Sequence, residues 1–460
     1  MKNKENKKKK DNDSDKQRNI ILVIIATILL LLILLIGIKS CSSNEYKIDF
    51  IVNDEVYHTI ETKGNEKIEF PEDPEEDGYE FNGWYLDDTF DTKFIDTYYS
   101  NIKLEKDIEV YAEFKIATYT ITYYDEFNQS NDNKTSGTSK DKIELTDLNE
   151  YQDDYGYGYQ FLGWYTDQEY TNNIDTLTNI TSNINLYASY EKYSIGLLYT
   201  TIDNQYYVSG LGTVGHSEIY IPSKIDGLEV VGIAKTAFLN KSSLVNITIP
   251  DSVTFIGEAA FANCTALTSI VIPNSVTSIG DATFYNCTAL TRVTLPNGLT
   301  SISDSMFDNC SALTSIEIPE SVTSIDDGAF KWCASLTSII IPSSVTSIGE
   351  DVFHNCTSLT SIEIPSSVTS IGDDTFHNCT SLTSVILPDT ITSIGESAFY
   401  NCSALTSIEI PSTITSIGYN AFYDCNSLTI TFDLTEDEVS SKVSLGSSWN
   451  SGVVDIIYKS

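Results

Sequence analysis

A repeat with a period of 23 residues constrains this chain more than any other feature. Prolines recur at positions 250, 273, 296, 319, 342, 365, 388 and 411, and phenylalanines keep the same spacing from Phe238 to Phe422. Each unit follows the pattern F-x-N-C-x-x-L-T-S-I-x-I-P-x-S-V-T-S-I-G with few changes. A fixed period of this length predicts a solenoid, in which every turn buries its apolar face against its neighbours.

The apolar positions of one unit indicate how a turn is built. Ile270 and Ile272 have the spacing of a short strand with one buried face, and Leu267 is expected to pack the turn before it. Phe284 and Cys287 are expected to complete the core of the turn. Because no single turn could bury these side chains alone, the stack is expected to be stabilised by contacts between turns.

Eight of the nine cysteines recur at the period of the repeat, and only Cys41 lies elsewhere. Stacked turns would bring neighbouring cysteines close enough for a disulfide, but parallel Cβ vectors suit that bond poorly. We therefore expect buried free thiols. The chain has no CxxC pair and no histidine at metal-ligand spacing from the cysteines, so neither a metal nor any other cofactor is expected.

The N-terminal region predicts a membrane anchor. A lysine-rich tail at 1–18 precedes a run of aliphatic residues, and we assign 19–39 to a single membrane-spanning signal anchor. The basic tail is expected to stay in the cytoplasm, which places the bulk of the chain outside the cell membrane. An alternative stays open, because Ile38-Lys39-Ser40-Cys41 resembles a bacterial lipobox and Cys41 is then the lipidated residue. Lys39 fits that pattern poorly.

Residues 46–116 and 117–192 repeat one module. Both contain an opening alternating stretch, a G-Y-x-F-x-G-W-Y centre and a closing Y-A-x-F/Y stretch, with Trp84 and Trp164 at matching positions. The alternation predicts strands with one buried face, and the tryptophans are expected in the core. These motifs resemble internalin-type B-repeats, also called Listeria-Bacteroides repeats. The resemblance implies small β-grasp-like domains that serve as extracellular spacers or weak interaction modules on bacterial surface proteins.

The rest of the chain divides around the repeat. A degenerate stretch at 193–237 is expected to cap the solenoid, 238–434 form its turns, and 435–460 form a C-terminal cap and tail, since a stack exposes an apolar end unless an atypical unit covers it. The pattern F-x-N-C-x-x-L-x-x-I-x-I-P resembles the BspA-type leucine-rich repeat. That resemblance implies surface-exposed proteins that bind macromolecules without catalysis. The predicted fold class is mainly β, with an anchor helix, two β-grasp-like modules and a leucine-rich repeat solenoid.

Function is expected where the repeat varies. One outward strand position forms the leading candidate for a partner-binding surface, and we call its members the outward stripe: Thr248, Val271, Thr294, Glu317, Ile340, Glu363, Ile386 and Glu409. A second variable position carries an acidic column, which we interpret as capping short helical stretches, with calcium binding as the alternative: Glu258, Asp281, Asp304, Asp327, Glu350, Asp373 and Glu396. A third carries Tyr285, His354, His377, Tyr400 and Tyr423, which we expect to be exposed and stacked.

Charge and motifs narrow the class of function. The net charge of −38 makes nucleic acid an improbable partner, because an acidic surface repels phosphate. We find no nucleophile elbow, phosphate loop or paired-carboxylate cleft in a suitable context, so an enzyme is not expected. The predicted function is adhesion to, or binding of, an extracellular protein or glycan. The alternative is a structural, self-associating surface component, and the oligomeric state stays open.

Overall fold

The computed structural model describes residues 45–64, 67–94 and 104–460. The described residues form two compact units: the first comprises those up to Leu148 together with Phe161–Ser189, and the second comprises Asn149–Gln160 and Tyr190–Ser460. The predicted tail at 1–18, the anchor at 19–39 and Cys41 lie outside the described residues. The helix in the described part of the chain is too short to span a membrane.

The first module is a four-stranded mixed sheet. Its strands are β1 (Tyr46–Val52), β2 (Glu55–Thr62), β3 (Tyr79–Tyr85) and β4 (Ile108–Ile116), in the order β2-β1-β4-β3. The central pair β1 and β4 is parallel, and both outer pairs are antiparallel. Alternation along β1 buries Ile48 and Phe50 on one face. Trp84 lies in this core, edge-on to Phe50 with ring centroids 4.8 Å apart, as expected for a structural aromatic.

The second module repeats this plan with more strands. They are β5 (Tyr119–Tyr124), β6 (Ser136–Gly137), β7 (Lys142–Glu144), β8 (Tyr151–Gln152), β9 (Tyr157–Tyr165), β10 (Asn173–Ile174), β11 (Thr176–Thr178) and β12 (Ile184–Ser194). The main sheet has the order β10-β9-β12-β5-β6, with β8 also paired to β9, while β11 pairs with β7. The pair β5 and β12 is parallel, like β1 and β4. Trp164 is buried, and its indole N–H donates to the carbonyl oxygen of Thr146 at 3.0 Å.

Five strands precede the regular solenoid turns. They are β13 (Leu198–Ile202), β14 (Gln205–Gly210), β15 (Glu218–Tyr220), β16 (Lys224–Ile225) and β17 (Leu228–Ile233). β13 and β14 form a hairpin, and β14 pairs in parallel with β17. β17 in turn pairs in parallel with Phe255–Ile256, a short strand of the regular solenoid turns. Val208 and Val230 are fully buried here, so this segment covers the apolar end of the stack.

The solenoid consists of two stacks of short parallel strands. The first stack carries the I-x-I segments of the repeat and includes Asn246–Thr248, Ser269–Val271, Arg292–Thr294, Ser361–Glu363, Ser384–Ile386, Ser407–Ile410, Thr429–Phe432 and Asp455–Tyr458. The second carries the S-I segments and includes Phe255–Ile256, Ser278–Ile279, Ser301–Ile302, Ser324–Ile325, Ser347–Ile348, Ser370–Ile371, Ser393–Ile394, Ser416–Ile417 and Ser444–Leu445. Ile270, Ile272 and Ile279 point into one continuous core.

Phenylalanine and cysteine columns run through that core. The rings from Phe238 to Phe422 are fully buried and stack face to face, with centroids from 5.1 Å (Phe376 to Phe399) to 5.8 Å (Phe330 to Phe353) apart. The cysteines of the column are buried and unpaired, which confirms the expected free thiols.

The chain ends in a final atypical turn. The helix α1 (Glu436–Lys442) begins at Thr435, whose hydroxyl accepts the backbone N–H of Glu438 in a capping box. After it, the chain adds one strand to each stack, and Trp449 packs edge-on against Phe422 with centroids 6.4 Å apart. The C-terminal residues therefore close the exposed end of the core.

Candidate binding surface

The outward stripe lies where its register predicts. Glu363 pairs with Ile386 in adjacent parallel strands, Val271 pairs with Thr294, and Glu317 forms a bridge with Ile340. These side chains alternate with buried isoleucines, because successive residues of a strand point to opposite faces. All eight members of the stripe are exposed. The structure therefore brings them together on one face of the first strand stack.

The aliphatic members of the stripe are unusually accessible. Ile340 is 84 % exposed, Val271 is 65 % exposed and Ile386 is 56 % exposed. Glutamates occupy the turns between and beyond the two isoleucines, so the stripe alternates between apolar and acidic side chains along the stack. The exposure of these aliphatic side chains on one sheet face makes the stripe a candidate surface for contact with another molecule.

Three further residues continue this stripe and were not predicted. Tyr220 pairs with Thr248 at the N-terminal end, while Thr431 pairs with Glu409 and then with Ile457 at the C-terminal end. Ile457 is 47 % exposed. The alternation of Asp455-Ile-Ile-Tyr458 was a sequence signal for this strand, but it lies 26 residues after its partner instead of 23. Because this spacing differs from 23 residues, the strand does not follow the period of the repeat.

A shallow groove follows the first three members of the stripe. The residues that line it include Asn246, Ser269, Val271, Asn274 and Asn297. The backbone N–H of Asn297 donates to the side-chain oxygen of Asn274 at 2.9 Å, which links two consecutive turns. The groove offers amide and hydroxyl groups beside the apolar side chain of Val271.

The acidic column does not cap helices. The residues that follow it form successive turns in which backbone N–H groups donate to the next turn of the solenoid, so the predicted short helical stretch is wrong. The carboxylates instead accept backbone N–H groups one turn further on: Asp327 accepts from Glu350 at 2.8 Å and Asp373 from Glu396 at 2.6 Å. Burial, with Asp304 and Glu258 close by, raises the pKa of Asp281 above its usual range.

Four members of the third column form a stack of rings, as expected. The expected exposure was wrong for these four, which are half-buried, while Tyr285 is exposed and lies outside the stack. His354 and His377 lie face to face with centroids 4.5 Å apart and an angle of 3° between their planes. Tyr400 continues the stack 4.6 Å from His377, and Tyr423 follows at 5.2 Å. Burial and the neighbouring His377 lower the pKa of His354, which favours its neutral form.

Carboxylates accompany both histidines. Asp351 Oδ1 lies 2.6 Å from Nδ1 of His354, and Asp374 Oδ1 lies 2.6 Å from Nδ1 of His377. No metal was expected in this chain. Asp351 and Asp374 have a left-handed backbone, with φ of 57° and 52°, and each carboxylate lies beside the histidine three residues later. The spacing D-x-x-H on two consecutive turns was the signal in the sequence.

The fold and the stripe define a class of protein: a leucine-rich repeat solenoid with an exposed sheet face, preceded by two small β modules. Comparison with known families agrees with this class. Residues 231–359 and 323–443 match the BspA type leucine rich repeat region, and residues 46–113 and 119–189 match the Listeria-Bacteroides repeat domain. The chain therefore belongs to the BspA-type leucine-rich repeat proteins and carries two Listeria-Bacteroides repeats.

Several solved structures of bacterial leucine-rich repeat proteins are similar to this chain. A leucine-rich repeat protein of T. pallidum is 30% identical, with 47% of this chain and 90% of that chain covered and a TM-score of 0.35. A leucine rich cell surface protein of Faecalibacterium prausnitzii is 25% identical, covering 58% and 94% with a TM-score of 0.34. The pneumococcal vaccine antigen PcpA is 19% identical, covering 58% and 86% with a TM-score of 0.37.

A protein of Evansella cellulosilytica named "Putative membrane protein" is 29% identical over 135 residues. The match covers 28% of this chain and 18% of the relative. The chain thus spans less than a fifth of the length of that relative.

Proposed function

We propose that this chain is a membrane-anchored cell-surface protein whose solenoid binds an extracellular protein or glycan through the outward stripe. The observation that carries the proposal is the exposure of Ile340 and Ile386 in register with Glu317, Glu363 and Glu409. Covering the two isoleucines removes apolar area from water, and each buried aliphatic side chain contributes about 1.5 to 3 kcal/mol.

The charge of the stripe defines the partner that fits it best. Glu363 lies directly beside Ile386 on paired strands, so an apolar contact there is bordered by a carboxylate. A protein surface that places lysine or arginine beside aliphatic or aromatic side chains complements this pattern. The net charge of −38 also favours a cationic partner through long-range attraction.

The proposal includes the membrane anchor at 19–39, and the support for it comes from the sequence. The aliphatic run at 19–39 follows a basic tail, which is the pattern of a signal anchor with its N-terminus in the cytoplasm. The name of the Evansella relative, "Putative membrane protein", supports this part of the proposal. Metabolic labelling with palmitate, compared between the native chain and Cys41→Ser, distinguishes the anchor from lipidation at Cys41.

Binding is tested with the full-length chain reconstituted in lipid vesicles and screened on immobilised extracellular proteins and a glycan array. For any ligand found, the double variant Ile340→Ser/Ile386→Ser should weaken binding at least about tenfold. Ile202→Ser is a matched control. Ile202 is 53% exposed but lies on the hairpin of β13 and β14, which is not part of the stripe. Equal binding by the double variant and the control would remove the stripe from the proposal.

Self-association is the alternative function, because the same exposed isoleucines could contact a second copy of the chain. Light scattering of the full-length chain in detergent, over a range of concentrations, measures it directly. A mass that rises with concentration in the native chain but not in the double variant would favour the structural role. A constant mass together with ligand binding favours adhesion.

A further inference from the structure

We propose that His354, Asp374 and His377 bind a divalent transition-metal ion of the zinc class on the turn face of the solenoid. One ligand atom from each of the three residues lies within 4.8 Å of the others. Two imidazoles and one carboxylate form a donor set that suits zinc, copper or nickel better than calcium or magnesium, which prefer oxygen ligands.

The repeat itself brings the two imidazoles together. His354 and His377 occupy the same position of consecutive turns, 23 residues apart, and the backbone hydrogen bond from Asn355 N–H to the carbonyl oxygen of His377 fixes the two turns at 2.8 Å. Their rings lie 4.5 Å apart and nearly parallel. In the folded chain the relative position of the ligands is thus set by the ladder and needs no induced folding.

Metal binding requires the two rings to tilt out of their parallel stack. Zinc binds nitrogen at about 2.0 to 2.1 Å, so two tetrahedral ligands lie roughly 3.3 Å apart. The observed 4.5 Å separates the centroids of parallel rings, and rotation about the side-chain bonds must bring one nitrogen of each ring toward the same ion. Both histidines are only partly buried, so the ion has an open path to them.

The neighbouring carboxylates supply the charge and the orientation. The ion would take the place of the proton shared by His377 Nδ1 and Asp374 Oδ1, which are 2.6 Å apart. Asp351 lies 2.6 Å from His354 Nδ1 and also pairs with Lys331 at 3.1 Å, so it serves better to orient His354 than to bind the ion. Such partners hold metal-ligating histidines in place.

Comparison among the turns shows that the scaffold does not require these residues. The position of Asp351 and Asp374 is filled in other turns by Thr236, Ala259, Ala282, Ser305, Gly328, Ser397 and Asn420, all with the same left-handed backbone. The position of the histidines is filled in other turns by Leu239, Ala262, Tyr285, Asp308, Lys331, Tyr400 and Tyr423. Aspartate and histidine occur together at these two positions in consecutive turns, and nowhere else among them.

The repeat also supplies the variants for a test. His354→Tyr and His377→Tyr keep a ring that Tyr400 and Tyr423 show the column accepts, but they remove the imidazole nitrogens. Asp374→Ser introduces serine, which fills the equivalent position of the next turn as Ser397 and has the same positive φ there. Each variant should therefore fold, and its far-ultraviolet circular dichroism and apo melting temperature verify that it does.

The experiment uses the metal-stripped full-length chain in detergent with Cys41→Ser as background, titrated with ZnCl2 by calorimetry and with CoCl2 by visible absorption. We expect one high-affinity ion per chain and cobalt d–d bands without thiolate charge transfer. Each of the three variants should weaken binding at least about tenfold, as loss of a ligand does. His216→Tyr is the matched control and should bind as the background does.

Three results would overturn the proposal. The first is the absence of stoichiometric zinc or cobalt binding by the folded background chain. The second is binding that His354→Tyr, His377→Tyr and Asp374→Ser leave unchanged. Thiolate charge-transfer bands in the cobalt complex would also overturn it, because they would assign the ion to cysteines.

Discussion

Asn378 donates from its side-chain amide to the side-chain oxygen of Asn355, one turn earlier in the solenoid, at 3.0 Å. The same contact links Asn286 to Asn263 at 2.6 Å, so asparagines form a ladder along one edge of the stack. Trp332 interrupts it, because its indole occupies the position that would join the two halves. The side chain is 49 % exposed and its backbone has a φ of 59°.

Trp332→Asn should therefore stabilise the solenoid. Asparagine restores a link to each neighbouring turn, and a net hydrogen bond contributes about 0.5 to 1.5 kcal/mol. Asparagine also tolerates the left-handed backbone better than tryptophan does. We expect the free energy of unfolding to rise by about 1 to 2 kcal/mol, measured by guanidinium denaturation.

The control is Trp332→Ala, which removes the indole without restoring the ladder. It should not reproduce the gain. If alanine and asparagine stabilise the chain equally, removal of the exposed indole and not the ladder is the cause.

The buried thiols should be chemically silent in the folded chain. Burial raises the pKa of Cys264 and of Cys425 to about 12, and raises that of Cys356 well above its usual value. The thiolate that reacts is therefore scarce at pH 8. Each Sγ also donates to the carbonyl of a phenylalanine, as Cys310 does to Phe284 at 3.2 Å. In the Cys41→Ser background, Ellman's reagent should label none of these cysteines in buffer and all of them in guanidinium.

Fast labelling of one or two cysteines without denaturant would contradict that expectation and would locate a turn that opens. Cys264 and Cys425 lie nearest the two ends of the column, so partial opening should reach them before Cys333. Mass spectrometry of the labelled peptides identifies which residue reacts.

The sequence predicted the stack and its inward positions because every turn of a solenoid buries the same positions, so apolar residues recur at a fixed interval. Leu267, Ile270 and Phe284 are buried as the pattern requires. The conformation of the turn before each phenylalanine was not predictable in this way. Ala259 has a φ of 50°, which alanine disfavours. Its N–H donates to the backbone carbonyl oxygen of Asp281, one turn away, at 2.8 Å. Hydrogen bonds between turns override the helix propensity of the segment.

The register of the outward stripe was equally predictable, since a strand alternates with period 2. Its continuation to Ile457 was not, because the last turn contains the helix α1 and breaks the period of the repeat. The contact of Asp374 with His377 was also missed. This contact depends on the left-handed backbone of Asp374. That conformation accompanies a hydrogen bond from the N–H of Asp374 to the carbonyl oxygen of Glu396 in the next turn, which local sequence does not reveal.

Phe330→Ala should destabilise the solenoid strongly. The ring of Phe330 is fully buried and stacks on Phe307 at 5.5 Å and on Phe353 at 5.8 Å. Replacing a buried phenylalanine by alanine costs about 3 to 5 kcal/mol. Because each turn contacts mainly its neighbours, we expect the unfolding transition to broaden or split into two stages, as one half of the stack opens first. Thermal unfolding followed by circular dichroism measures this change.

Phe255→Ala provides the matched control, since Phe255 begins a strand of the second stack but its side chain is 40 % exposed. Its loss should cost less than about 1 kcal/mol. Similar destabilisation by both substitutions would show that the phenylalanine column does not stabilise the stack more than surface contacts do.

Asp308→Asn should stabilise the chain at neutral pH. Burial raises the pKa of Asp308 to about 6, with Lys331 opposing the shift and Asp351 adding to it. The unfolded carboxyl titrates near pH 4, so between about pH 4 and 6 the folded chain holds more protons, and stability falls as the pH rises. Asparagine removes this penalty, and we expect a gain of about 1 kcal/mol at pH 7 that disappears near pH 4, after allowance for solvent screening. Guanidinium denaturation at both pH values measures it, with the exposed Asp251→Asn as a control that should show little change at either. A loss of stability at pH 7 would mean that attraction between Asp308 and Lys331 outweighs the cost of burial.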